Sequence, residues 1–269
     1  MPVYAATFSN RNRYQLQLHI APQAYNLSGN FTDVAWSLRI VETTENGSYS
    51  YDAAPWSVTV HGQTWSGAAS YDFRGTNEII VGSGSKRVYH DGNGYATISF
   101  SGAVGGSTVI GSASAGGSLG LTRIPKPPGA PLISGTVGGT VLGPKNPTTT
   151  TMTVVFSGTT DGGSAITGWE IQYAENSAFT QNAKSVASGG TTTITGLKPG
   201  FTYYFRARGR NGVGWGAYSA TASAKTLTAL YVSDGTSWNS VEVYVSDGTT
   251  WHLAELYLSD GTTWTEPAA

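Results

Sequence analysis

Few residues in this chain could do chemistry, and they are scattered. Its four histidines, His19, His61, His90 and His252, include no two at a short metal-ligand spacing, and it has no cysteine. A zinc site or a histidine-activated nucleophile would have to be assembled from distant segments. The stretch His90-Asp91-Gly92-Asn93-Gly94 offers oxygen ligands, but it lacks the alternating acidic positions and terminal Glu of a calcium loop, so a Gly-rich turn is expected. Glu170 and Glu175 are carboxylates that a fold could pair for glycoside hydrolysis. No serine nucleophile elbow, His-Glu-x-x-His helix or Gly-Lys-Ser/Thr phosphate loop is read. The expectation is no catalytic site, no cofactor and no metal.

The densest constellation is aromatic. Tyr231, Tyr244 and Tyr257 are 13 residues apart, as are Trp238, Trp251 and Trp264, and each unit reads Tyr-x-Ser-Asp-Gly-Thr-x-Trp. Asp-Gly between strand formers is a two-residue hairpin signal, because both central positions of that turn take positive φ. Counting outward from Asp234-Gly235 pairs Tyr231 directly with Trp238, with Tyr, Ser, Thr and Trp on one face. A two-stranded hairpin is marginal alone in water, so three are expected to form a meander whose aromatic face needs a cover. Self-association, with a trimer favoured, is the expected cover. A core shared among the hairpins of one chain, or sugar rings stacked on these six aromatics, are the other readings. Arg206, Arg208 and Arg210 alternate along one strand and read as a solvated basic edge that discourages pairing.

The elements that would position these residues are strands. Of 269 residues 36 are glycine, and only 12% are charged, against about 25% in an average globular domain. Fifteen basic against sixteen acidic side chains leave a net charge of −1. Neither a nucleic-acid surface nor a polybasic membrane anchor is expected, and no apolar run reaches the roughly 18 residues of a membrane span. The segment Met1–Thr7 has no basic region followed by an apolar stretch, so no secretory signal is read there.

Tyr14, Leu16, Leu18 and Ile20 alternate with Gln15, Gln17 and His19, the period of a half-buried strand. Val34–Ile40, Trp56–Val60 and Tyr95–Phe100 repeat it, with Trp36 and Trp56 expected in a core. Four prolines between Pro125 and Pro131 remove four amide donors, so a short semi-rigid linker is expected there. Further strands follow at Thr151–Phe156, Thr167–Tyr173, Thr191–Ile194 and Thr202–Arg208. The chain is thus expected to be all-β: an N-terminal antiparallel β-sandwich over 1–124, a linker over 125–131, a second sandwich over 132–228 and a C-terminal array of short β-hairpins over 229–269.

Two resemblances sharpen this. Leu197-Lys198-Pro199-Gly200-Phe201-Thr202-Tyr203, with the tyrosine-corner pattern of a β-sandwich, and Arg206 to Gly214 together resemble a fibronectin type III (Ig-like) domain over about residues 130–228. The chain departs from that family at Phe156, where a core Trp is usual, and it lacks the adhesive Arg-Gly-Asp tripeptide.

Phe8 to Leu18, Val34 to Ile40, Trp56-Ser57-Val58 leading to His61-Gly62-Gln63-Thr64, Tyr89 to Ile98 and Leu121 to Pro125 resemble minor tail proteins of long-tailed (siphovirus-type) bacteriophages over about residues 4–125. The C-terminal repeats are similar to those ending tail proteins of phages that infect actinobacteria. These resemblances imply a structural virion protein at the tail tip or a side fibre. It would be assembled in the bacterial cytoplasm beside other phage tail proteins and exposed to host cell-surface glycan. A glycan-cleaving tail protein with an accessory fibronectin type III module is the alternative.

Overall fold

Strand formers alternating with polar residues, broken by Gly, Asn and Asp, build strands joined by short turns throughout. The structure, a computed structural model, describes residues 1–44, 50–228, 230–233, 235–241, 243–254, 258–259 and 264–265. Every element among them is a β-strand, and the chain divides into two units, Met1–Pro125 and Lys126–Ala269.

The first unit holds β1 (Val3–Thr7), β2 (Tyr14–Pro22), β3 (Phe31–Glu42), β4 (Ser50–Val60), β5 (Gln63–Asp72), β6 (Glu78–Tyr89), β7 (Thr97–Ser107) and β8 (Gly111–Gly120). They form two four-stranded antiparallel sheets, ordered β1-β2-β3-β6 and β5-β4-β7-β8. The period-two reading of β2 holds residue by residue: Tyr14, Leu16, Leu18 and Ile20 are buried and Gln15, Gln17 and His19 half-buried. In β3, Val34, Trp36, Leu38 and Ile40 join the same core. Trp36 lies 6.2 Å from Trp56 and 5.1 Å from Trp65, ring centre to ring centre. Glycines make room for these rings: a Cβ on Gly82 would stand 2.8 Å from Trp56, and one on Gly84 2.9 Å from Trp36.

The second unit continues with β9 (Thr136–Val137), β10 (Thr140–Val141), β11 (Gly143–Lys145), β12 (Met152–Val155), β13 (Ile166–Ala174), β14 (Lys184–Ser188), β15 (Thr191–Ile194), β16 (Thr202–Asn211) and β17 (Ala222–Lys225). Sheets β11-β12-β15 and β14-β13-β16-β17 face each other across Met152, Val154, Phe156, Ile171, Tyr173, Ile194, Tyr203 and Phe205. Phe156 is buried 5.2 Å from Trp169. The tyrosine corner is formed, with buried Tyr203 Oη accepting the Lys198 N–H at 3.0 Å. The Pro-rich segment lies against this unit: the Lys126 and Gly129 amides donate to the Gly162 and Thr160 carbonyls, and Asn211 Nδ2 donates to Lys126 O. Three two-stranded sheets follow: β18 (Leu230–Ser233) with β19 (Trp238–Val241), β20 (Tyr244–Ser246) with β21 (Trp251–Leu253), and β22 (Leu258–Ser259) with β23 (Trp264–Thr265). They are separate sheets, which corrects the expected continuous meander.

Candidate functional site

The three hairpins share one register, and it differs from that read off the sequence. Ser233 pairs with Trp238, Ser246 with Trp251 and Ser259 with Trp264. Four residues therefore lie in each loop, not two. The second hairpin shows why. Asp247 Oδ1 accepts the Thr249 and Thr250 amides, both at 2.8 Å, and the Thr249 hydroxyl, while the Asp247 amide donates to Thr250 O. An Asp side chain that closes its own turn in this way competes with the two-residue turn. It leaves only Gly248 in the left-handed region, at φ +97°.

The aromatic pairing changes with the register. Tyr231 stands opposite Ser240 and Tyr244 opposite Leu253, so Tyr and Trp of one hairpin are diagonal rather than direct neighbours. Strand alternation still places Tyr244, Ser246 and Trp251 on one face. Tyr244 is 48% and Trp251 72% exposed. The backbone of Trp264 lies in β23, and Tyr257 falls outside the described residues.

His252 lies on the opposite face, across from Val245, with Nε2 2.8 Å from both Asp247 Oδ2 and Thr250 Oγ1. The Thr249 hydroxyl, the Thr250 amide and His252, in that order, hold the Asp247 carboxyl well below the usual carboxylate range. A depressed folded-state pKa adds stability that is complete above the unfolded value of about 3.9 and is lost as pH falls through the lower folded one. A carbon-detected NMR titration of Asp247 is expected to give a midpoint well under 3.9, with the Thr249 and Thr250 amides moving in step. A midpoint at the ordinary value would contradict this turn.

The arginine stripe needs a larger correction. Arg206, Arg208 and Arg210 lie on an inner strand, not an open edge. Beside them runs the segment Trp215–Ser219, whose Gly216 and Ser219 amides donate to Gly209 O and Ala207 O. The guanidiniums interleave with aromatic rings: Arg206 is 4.0 Å from both Phe179 and Tyr218, Arg208 4.3 Å from Tyr218 and 4.6 Å from Trp215, and Arg210 5.7 Å from Trp215. Arg206 Nε donates to Gln172, and Glu170 accepts from Arg208 Nε at 3.0 Å and Tyr218 Oη at 2.8 Å. This is a cation–π ladder. The signal available in the sequence was Arg at every second position, followed by Trp215 and Tyr218 three residues apart.

Glu175 pairs separately with Lys198 at 2.8 Å, and that ammonium, then Asn182, holds its carboxyl below the usual range. A glycosidase acid needs the opposite shift. His90 is buried, with Nδ1 2.8 Å from Gly94 O and Nε2 2.9 Å from Thr32 Oγ1. Asp91 Oδ1 accepts the Asn93 and Tyr95 amides. The expected Gly-rich turn is thus a latch of backbone contacts. Among the described residues no three His, Asp or Glu side chains gather as metal ligands.

One spacing was passed over in the sequence: Gly116, Ser118 and Gly120 have the Gly-x-Ser-x-Gly order of a nucleophile elbow. The structure places Ser118 within β8, with no strand-to-helix turn to present its hydroxyl.

A family model for the fibronectin type III domain matches residues 142–225. No curated protein sequence matches the chain. Among solved structures the chain is similar to the fourth FNIII domain of a human protein, at 20% identity over 43% of this chain and 92% of that one, with a TM-score of 0.34. It is similar to the sixth fibronectin type III domain of human fibronectin type III domain containing protein 3, at 19% identity over 43% and 97%, with a TM-score of 0.31. It is also similar to titin domains A168–A170, at 16% identity over 74% and 59%, with a TM-score of 0.32. The chain contains a fibronectin type III domain.

Proposed function

We propose that this chain is a structural minor tail protein of a long-tailed bacteriophage of actinobacteria, at the tail tip or in a side fibre, acting in tail assembly and host-surface attachment. The observation that carries the reading is the C-terminal array. One register is repeated three times, and its second unit leaves Tyr244 and Trp251 exposed on one face. Aromatics in that setting mark contact surfaces. In this reading the N-terminal sandwich docks against other tail proteins, the fibronectin type III domain is a spacer, and the hairpins clamp copies of the chain, a trimer favoured, or stack on host glycan. The protein is made in the host cytoplasm and resides in the virion tail. Its work is attachment, not turnover. The resemblance of residues 4–125 to phage minor tail proteins supports it. A cell-wall hydrolase would release reducing ends from host envelope, and the Lys198 ammonium 2.8 Å from Glu175 opposes the protonated carboxyl that such chemistry needs.

Light scattering of the full chain and of a chain ending at Thr228 tests the proposal. The shorter chain keeps the closure of the second sandwich, where the Leu227 amide donates to Thr148 O. The full 28.1 kDa chain is expected at a higher multiple of its own mass than the shorter chain shows. Equal multiples would remove the clamp and turn the aromatic face over to a glycan-binding screen.

A further inference from the structure

Charge is unevenly divided along this chain. Residues 1–125 hold seven Lys or Arg and seven Asp or Glu, a net charge of zero. Residues 126–228 hold eight Lys or Arg against Asp161, Glu170 and Glu175, a net +5. Residues 229–269 hold six Asp or Glu and no Lys or Arg, a net −6. The overall −1 therefore conceals a basic fibronectin type III domain followed by an acidic hairpin array.

The surplus positive charge of the domain gathers on one face. Arg206, Arg208 and Arg210 lie on the outward side of the sheet β14-β13-β16-β17, and Lys225 shares that side because it pairs with Thr202, an even number of residues before them. Glu170 meets Arg208 there. Arg210 ends the ladder and is exposed, with the Trp215 ring at 5.7 Å and no carboxylate beside it among the described residues. Opposite it stands Gly168, where even an added Cβ would find no atom within 4 Å. Trp215 is itself 38% exposed. In the single chain this end of the face is open to solvent.

We propose that this arginine face binds the acidic hairpin array of a second copy of the chain. The inference rests on the clamp reading above and names the surface that the hairpins of one copy grip. Opposite charge selects the pairing and speeds the encounter. The array also brings rings: Tyr244 and Trp251 are exposed, and a guanidinium stacks on aromatic faces as well as pairing with carboxylates. Arg210 has one ring beside it and accepts another. A copy's own array starts at the wrong end of the stripe. The chain leaves the domain where the Leu227 amide is tied to Thr148 O, beside the Thr202–Lys225 pair, and β18 begins at Leu230. Arg210 lies eight residues along β16 from Thr202, about 26 Å away. The contact joins two different surfaces, so it closes copies into a ring, and a ring of three fits the favoured trimer.

Light scattering of the full-length protein over a dilution series tests this with two variants. Arg210→Glu spoils the face, and Glu242→Lys with Glu255→Lys, at equivalent places in consecutive repeats, spoils the array. Each variant alone is expected to associate at least about tenfold more weakly than the parent. The parent is expected to weaken by a similar factor as salt shortens the screening length to about 3 Å at 1 M. An equimolar mixture of the two variants is expected to regain mass, because the intact face of one meets the intact array of the other. Circular dichroism reports retained fold. If Arg210→Glu unfolds, Ser223→Glu decides, since it adds a carboxylate at an exposed position of the same face without touching the ladder. Parent-like association of a folded face variant, association that salt leaves unchanged, or a mixture no heavier than its components would overturn this contact while leaving the clamp standing. A parent that stays a single chain at every salt concentration overturns both.

Discussion

Gly94→Ala is expected to destabilise the N-terminal sandwich by about 3 kcal/mol or more, from a strained left-handed backbone plus an overpacked contact. For a unit of this size that is a fall of roughly 10 °C in its thermal midpoint. Gly94 sits at φ +82°, and a Cβ there would stand 1.9 Å from the Ile124 carbonyl oxygen, a backbone atom that cannot swing away. The same glycine accepts from His90 Nδ1 through its carbonyl, and its carbonyl also takes the Ile124 amide. Moving it loosens His90, whose carbonyl holds Asn30 Nδ2, and the segment that closes the unit at Ile124. Gly92, two residues earlier in the same turn, is the control. No atom lies within 4 Å of its would-be Cβ and its φ is not positive, so Gly92→Ala should move the midpoint by no more than a surface substitution does. Calorimetry of the two variants checks the contrast, and equal midpoints would show that the latch does not hold the unit.

The second large effect lies in the cation–π ladder. Tyr218→Ala is expected to cost the fibronectin type III domain about 2–4 kcal/mol, combining two guanidinium stacks, the half-buried ring body and a hydrogen bond to a carboxylate. The ring sits between Arg206 at 4.0 Å and Arg208 at 4.3 Å, while its hydroxyl donates to Glu170. Tyr218→Phe keeps both stacks and removes only that donation, so it should cost about 1–2 kcal/mol. Urea unfolding of the pair separates the contributions. If the two variants were equally unstable, the stacking would contribute nothing and the ladder would be a by-product of strand spacing. Arg208→Lys is expected to be disruptive too, because an ammonium cannot both lie flat on Trp215 and Tyr218 and donate to Glu170.

What was legible in the sequence followed its periodicities. Alternation over Tyr14–Ile20, Val34–Ile40 and Thr202–Arg208 located β2, β3 and β16, because one buried face imposes a period of two on any strand that has one. The tyrosine corner at Tyr203 was equally readable, since a local backbone tie needs its partner only a few residues away. Strand β8 left no such trace. Its Gly-Ser-Ala composition is poor strand material by propensity, and it is a strand because β7 supplies a partner for every inward amide. The Asp-Gly hairpins were found, but their register was misjudged by two residues, because the choice between loop lengths rests on amide hydrogen bonds that the Asp247 carboxylate accepts.

By itself, then, the sequence determined the all-β class, the main sandwich strands, the core faces and the 13-residue repeat, all features carried by spacing along the chain. The tertiary structure alone decided which residues far apart in sequence meet. Phe179, Arg206, Tyr218, Arg208, Trp215 and Arg210 become one stack because β16 and the 215–219 segment run side by side. His90, Thr32 and Asn30 meet because β3 and β6 pair as neighbours. Pairing partners are set by backbone hydrogen bonds between distant strands, and those are common to every residue type, so side-chain identity along one strand says little about which strand lies beside it.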